Sequence, residues 1–448
     1  MGRVRSYRGR VAASFPTSLR DLPLRVRVLG AGFVTLAVAG AVLSAPVVPE
    51  RARLTSSAAA ATVTAGRGQH AFRLITTDAA FAAGTNEGTR VGSGSLTMAR
   101  PVGTMGFAGT RWSWTRWTSW WVAPGQSFGE LVPTWNAVTP AGTWVQVQAR
   151  VRSSTGRVSG WKVMGSWSTR DAGFRRTSGA AQRDAVAWVD TDTLKAATGV
   201  SLTGYQLRVV PLRATSSTAT PTVRSLQAVA SRAPTSVTTS TPALPARTLD
   251  VPRYSQMTHR GEYPQYGGGG QAWCSPTSLS MILGYYRALP TAANYAWVSP
   301  GDSDRWVDHV ARVVYDYGYR GAGNWAFNTA YAANLTGDAF VTRLSDLREA
   351  ERFIAAGIPL AASISFARGQ LTGAPIGATN GHLVVIVGFT AKGDVVVNDP
   401  AASTNAGVRR VYDRGQFERV WLGRSSGTVY VVRDAAHPLP ARGSNRNW

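Results

Sequence analysis

The sequence predicts two folded units in series, an all-β sandwich over residues 68–232 and an α+β domain over residues 249–433. Three observations predict it. Short alternating stretches divided by Gly and Pro turns fill the first region, with hardly any helical periodicity. Residues 233–248, rich in Pro, Thr and Ser, then break the pattern as a linker does. Beyond them helical and strand patterns alternate, which is the texture of an α+β domain.

The segment 1–67 precedes both units. Arg3, Arg5, Arg8, Arg10, Arg20, Arg25 and Arg27 lead into an uncharged apolar stretch from Val28 to Val48. Basic residues before such a stretch make an export signal, and its length is also enough to stay in a bilayer as an N-terminal anchor. Cleavage and anchoring are both open. The Ala-, Ser- and Thr-rich run that follows reads as a flexible tether. This places the protein outside the cytoplasm, secreted or on the cell surface.

In the sandwich region, Trp144–Arg152 alternates polar residues with Val145, Val147, Ala149 and Val151, and Tyr205–Leu212 and Val223–Ala230 repeat the pattern. Ten of the 16 tryptophans lie here, five of them between Trp112 and Trp121. They either fill the sandwich core or present rings for a cell-wall polymer. In the α+β region, Asp304 is placed to cap a helix whose apolar side carries Trp306, Val307, Val310, Val313, Val314 and Tyr317, ending at Gly318. Ser345–Ala356 forms another helix, stopped by Gly357. Ile358–Phe366, Leu383–Thr390, Asp394–Asn398 and Thr428–Arg433 read as strands of an antiparallel sheet. Residues 434–448 form a C-terminal tail.

The net charge is +24, and without residues 1–67 it remains strongly positive, 38 basic against 22 acidic residues. Such a charge favours an anionic partner, with a cell-wall polymer foremost, acting through the β domain and the basic surface. No basic and aromatic pattern of a nucleic-acid module is present, so nucleic acid is excluded as a partner. No His-Glu-x-x-His, cysteine pair or phosphate-binding loop occurs, so neither a metal nor any other cofactor is called for.

The chain has one cysteine, so an internal disulfide is excluded. Cys274 follows Gly267–Trp273 and opens an apolar segment with Pro276 in its first turn, where proline is tolerated. This sets the sulfur at a helix N-terminus, whose free N–H groups and dipole favour the nucleophilic thiolate. Of the five histidines, His382 is best placed as its base, at the start of the strand Leu383–Thr390. The neighbouring strand ends in Asp399, a carboxylate able to orient and stabilise the imidazolium.

Four segments together resemble the papain-like cysteine peptidase family thirty-nine, whose better-known members trim double-glycine leader peptides from bacteriocins. They are Val251-Pro252-Arg253-Tyr254-Ser255-Gln256, Trp273-Cys274-Ser275-Pro276-Thr277-Ser278, the run from Gly381-His382 to Phe389, and Val397-Asn398-Asp399-Pro400. The resemblance spans about Leu249 to Val432 and implies Cys274 as nucleophile, His382 as base and Asp399 as orienter. It also implies a glutamine oxyanion donor, for which Gln256 is preferred, with Gln271 as the alternative. The expected fold is papain-like, a helix carrying the cysteine against an antiparallel sheet carrying His and Asp. The expected function is an exported cysteine peptidase acting on a peptide or protein substrate. A cell-wall peptide amidase on the same fold and a catalytically inactive surface-binding protein are the alternatives.

Overall fold

The computed structural model describes residues 66–448 except 172, 180 and 444. The expected export signal or anchor therefore lies outside the described residues. Among the described residues, no helix is long and apolar enough to cross a membrane.

Two antiparallel seven-stranded sheets form the first region. One runs Ala187–Asp190, Thr193–Ala196, Glu130–Val138, Thr222–Arg232, Ser95–Met98 and Thr89–Gly92, with Gln69–Ile75 branching onto Thr222–Arg232. The other runs Lys162–Trp167, Thr143–Ser153, Leu202–Ala214, Thr110–Trp114 and Gly103–Phe107, with Arg116–Thr118 also paired to Leu202–Ala214 and Thr85–Glu87 paired to Arg116–Thr118. The period-two pattern has its physical basis here: Val145, Val147, Ala149 and Val151 are all fully buried on one face of their strand.

The ten tryptophans divide evenly. Trp112, Trp117, Trp135, Trp144 and Trp167 are buried, while Trp114, Trp120, Trp121, Trp161 and Trp188 are partly exposed. Cationic side chains cover the second group: Arg208 lies 3.8 Å above the Trp161 ring, Arg150 lies 4.7 Å from Trp161 and 5.2 Å from Trp121, and Arg152 lies 4.8 Å from Trp121. Guanidinium groups thus occupy ring faces that a sugar would need for stacking.

The second region is built on another antiparallel sheet, in the order Asp338–Arg343, Thr428–Arg433, Leu360–Phe366, Thr379–Phe389, Val395–Asn398 and Arg409–Tyr412. The short strand Arg247–Thr248 pairs with Thr379–Phe389 at Gly388. A Cβ at Gly388 would come within 2.3 Å of the Arg247 carbonyl oxygen, so only glycine admits this strand. Five helices accompany the sheet: Cys274–Tyr285, Trp306–Val314, Trp325–Thr336, Leu347–Ala355 and Arg414–Ser425.

One expected cap is not formed. Asp304 has a left-handed φ of 43°, and its Oδ2 accepts a hydrogen bond from Asn405 Nδ2 at 2.8 Å, so the helix begins at Trp306 without a side-chain cap. It also ends at Val314, short of Gly318. By contrast Asp346 caps Leu347–Ala355, accepting from the N–H groups of Arg348 and Glu349.

The described residues make one compact unit, and its apolar core is continuous from the first two sheets into the second region. Phe327, fully buried on Trp325–Thr336, sits with its ring 6.1 Å from Trp135 and 5.2 Å from Trp167. Polar contacts join the same surfaces. Arg176 is fully buried, pairs with Asp171 and donates to the Arg312 carbonyl at 2.7 Å, while Asp192 Oδ2 accepts from Trp325 N–H at 2.7 Å.

The segments flanking the second region are fastened to it as well. Ser240 donates from its backbone N–H and its hydroxyl to the buried Glu418 carboxylate, at 2.7 and 2.6 Å. At the C-terminal end Trp448 is buried 5.0 Å from Phe353, and Asn447 Nδ2 donates to Glu349 at 2.7 Å.

Candidate active site

Cys274 is the first residue of its helix. The N-cap, Trp273, contributes no side-chain cap, and Ser275, Pro276 and Thr277 follow inside the first turn. The first-turn amides are therefore free to face a charge at the sulfur. Trp273 itself is fully buried, with its indole N–H donating to the Tyr266 carbonyl at 2.6 Å, so it anchors the turn rather than walling a cleft. Further along, Ser278 Oγ donates to the Leu383 carbonyl at 3.0 Å and Ser275 Oγ meets Tyr430 Oη at 2.9 Å. The first bond fixes the helix against the strand that carries His382, and the second ties it to the strand Thr428–Arg433. The Tyr430 phenol also gives the buried Ser275 hydroxyl its partner.

His382 lies opposite Ile364 in the sheet and is buried, with 3% of its surface exposed. Its Nε2–H donates to Asp399 Oδ1 at 2.7 Å, which leaves Nδ1 for the thiol it contacts. Asp399 is fully buried just past the end of Val395–Asn398. Its Oδ2 accepts from Tyr412 Oη at 2.7 Å, and its Oδ1 also accepts from Ala401 N–H at 3.0 Å. Tyr412 was invisible to motif reading, because only the pairing of Arg409–Tyr412 with Val395–Asn398 brings the phenol near the carboxylate.

The electrostatics of the three groups follow from these contacts. Burial alone would push the Cys274 thiol up, but the hydrogen bond and charge of His382, with the N–H groups of Leu383 and Ser275, bring it below the ordinary thiol range. Burial also opposes a charged imidazole, yet Asp399 and the thiolate outweigh it and raise His382 to about 10. Asp399 is depressed below its ordinary value: desolvation is overcome by His382, Tyr412 and the Ala401 amide. Together these shifts favour a thiolate–imidazolium pair with a carboxylate behind it.

Gln256 and Gln271 occupy different settings. Gln271 is exposed and both ends of its amide are engaged, Oε1 accepting from Gly261 N–H at 3.0 Å and Nε2 donating to the Gly268 carbonyl at 2.6 Å. Gln256 is buried. Its Nε2 donates one hydrogen to the Gln271 carbonyl at 2.7 Å, and its own backbone N–H donates to the Pro400 carbonyl at 2.9 Å. It thus touches both the turn entering Cys274 and the loop following Asp399. Gly270 makes this approach feasible, since a Cβ there would lie 2.3 Å from the His259 carbonyl oxygen and 2.5 Å from that of Gln256.

The loop 367–378 before His382 is held by Thr372 N–H, which donates to Gln416 Oε1 at 2.7 Å, and by Leu371, buried in the core. The hollow of about 480 Å³ beside it, between Gly369–Gln370 and Gln416–Arg424, shares no lining residue with Cys274, His382 or Asp399.

Residues 71–231 match the Peptidase C39 N-terminal domain, and residues 248–429 match the Peptidase C39 like family. No curated protein is significantly similar to the chain. A crystal structure from Bacillus anthracis described as a C39-like peptidase is 18% identical, with a TM-score of 0.27, covering 42% of this chain and 98% of its own. The two matches lie in order along the chain, the Peptidase C39 N-terminal domain over the first region and the Peptidase C39 like family over the second, which carries Cys274, His382 and Asp399.

Proposed function

We propose that this protein is an exported cysteine peptidase of papain-like fold that hydrolyses peptide bonds through Cys274, His382 and Asp399. The observation that carries the reading is His382, buried between the Cys274 thiol and the Asp399 carboxylate. Export rests on the arginine-flanked apolar stretch Val28–Val48.

In the proposed reaction the thiolate attacks the peptide carbonyl, and His382 delivers its proton to the departing amine as the thioester forms. Water then attacks the thioester with His382 as base, releasing the acid and restoring the thiolate. Asp399, held by Tyr412, keeps the imidazole oriented and stabilises its charged form.

This chemistry has a pH window whose sign follows from the two shifts. Turnover requires the thiolate, lost as pH falls through the lowered Cys274 value, and the imidazolium, lost as pH rises through about 10. Turnover of an unbiased peptide library, followed by mass spectrometry, should hold on the acid side of the unperturbed thiol value of about 8.5 and disappear above about 10. A rate that only starts to rise near 8.5 would reject the ion-pair reading. The same raised His382 value contributes stability that is complete below the ordinary 6.5 and is lost as pH climbs through about 10.

Gln256 is the proposed side-chain donor to the tetrahedral oxyanion, because one of its two amide hydrogens is used within the fold and the residue sits against the cysteine turn. Gln256→Ala should lower kcat by roughly 100-fold or more, as loss of one such donor does, and Gln271→Ala should lower it far less. The reverse order in a side-by-side kinetic comparison would transfer the role to Gln271.

A further inference from the structure

A second cluster of chemically capable side chains lies close to the cysteine turn and takes no part in the proposed reaction. His259 ends the 3-10 turn Gln256–His259, Glu262 follows in the loop, and Asp308 comes from the helix Trp306–Val314. His259 Nδ1 is 2.9 Å from Glu262 Oε2 and 3.2 Å from Asp308 Oδ2, and one ligand atom from each residue falls within 4.8 Å of the other two.

Asp308 makes the cluster more than a chance meeting of polar groups. It is fully buried, and neither carboxylate oxygen receives a hydrogen bond from the protein. Among the described residues, no Lys or Arg nitrogen lies within 4.0 Å of Asp308 or Glu262; their one basic neighbour is His259. A carboxylate withdrawn from water with only the His259 ring nitrogen at 3.2 Å beside it is costly, and a second carboxylate converging on the same nitrogen adds repulsion. A divalent cation at the point of convergence removes both penalties.

We propose that His259, Glu262 and Asp308 bind a divalent transition-metal ion of the zinc class, which clamps the turn carrying Gln256 to the helix Trp306–Val314. The donor set selects the metal: one imidazole nitrogen with two carboxylate oxygens suits zinc and its neighbours, whereas calcium and magnesium take oxygen ligands. The spacing fits as well. Ligand atoms about 2.1 Å from a tetrahedral zinc are roughly 3.3 Å apart, close to the observed 2.9 and 3.2 Å. His259 and Asp308 have fully buried side chains and Glu262 is partly exposed, so a fourth, water ligand enters from the Glu262 side. The site is structural in this reading. Its ion joins two segments distant in sequence, and the His259 ring lies 6.1 Å from that of Trp273, the residue before Cys274.

The test uses the full chain carrying Cys274→Ala, which removes the other side chain able to hold zinc strongly. After stripping with a chelator, the protein is titrated with zinc chloride against a chromophoric competitor, and its melting temperature is recorded with and without the ion. One equivalent should bind with a dissociation constant on the order of a micromolar or tighter, and the melting temperature should rise. Asp308→Asn in the same background should bind at least about 100-fold more weakly, while its metal-free form melts at or above the metal-free parent. The proposal is overturned if the Cys274→Ala chain takes up no stoichiometric zinc, or if Asp308→Asn binds one equivalent as tightly.

Discussion

Replacing His382 with alanine should lower peptide turnover by about 10⁴-fold, the scale on which removal of a base from such a triad acts. Two losses combine. The thiolate loses the counter-charge that brings it below the ordinary thiol range, and the reaction loses the group that delivers and recovers the proton. The first loss can be isolated by measuring iodoacetamide alkylation of Cys274 at pH 6. A thiol returned to its ordinary value of about 8.5 is only roughly 0.3% ionised there, so alkylation should fall to the rate of an ordinary thiol.

The variant also strands Asp399, fully buried, with Tyr412 and the Ala401 amide as its remaining partners. Such uncompensated burial can cost about 3–5 kcal/mol. His382→Asn, whose amide can donate to Asp399, therefore serves as the companion variant: it retains a donor and lacks the base. Both variants should fall together in turnover. Unchanged alkylation at pH 6 in either one would show that the histidine does not activate the thiol.

Phe327→Ala should destabilise the protein by about 3–5 kcal/mol, the cost of deleting a buried aromatic ring and leaving a cavity. The ring contacts Trp135 and Trp167 of the first region from a helix of the second, and a Cβ built on Gly165 would stand 2.9 Å from it. Because the core is continuous, the loss should appear as a shift of one unfolding transition that disrupts both regions together. Urea titrations monitored by tryptophan fluorescence and by Cys274 accessibility should give coincident midpoints, in the parent and in the variant. Separate transitions, with only one displaced by the substitution, would mean that the regions are energetically independent.

This shared core also explains which parts of the fold were legible. A strand with one wholly buried apolar face announces itself by alternation, as Thr143–Ser153 does, and Thr428–Arg433 is found at the boundaries its sequence predicts. The helix Trp325–Thr336 gave no such signal. Eight of its residues, from Ala326 to Ala333, are buried around its full circumference, so no apolar stripe marks a face. At Asp304 the local rule named a cap, but a left-handed backbone and the bond from Asn405 took the carboxylate elsewhere.

The residue types and local settings of Cys274, His382 and Asp399 were determined by the sequence itself. A proline-tolerant helix start and a strand end are features of a few neighbouring residues, and the absence of a second cysteine needs no structure to establish; His382, expected to open its strand, instead lies inside Thr379–Phe389, because pairing with Leu360–Phe366 extends that strand back to Thr379. Only the tertiary structure decided what these groups meet. Tyr412 reaches Asp399 through strand pairing, the Gln256 turn closes on Gly270 because no side chain intervenes, and His259 meets Asp308 through the packing of a distant helix. Short-range backbone preferences are written along the chain, whereas hydrogen bonds and charge between remote residues arise only when burial brings them together.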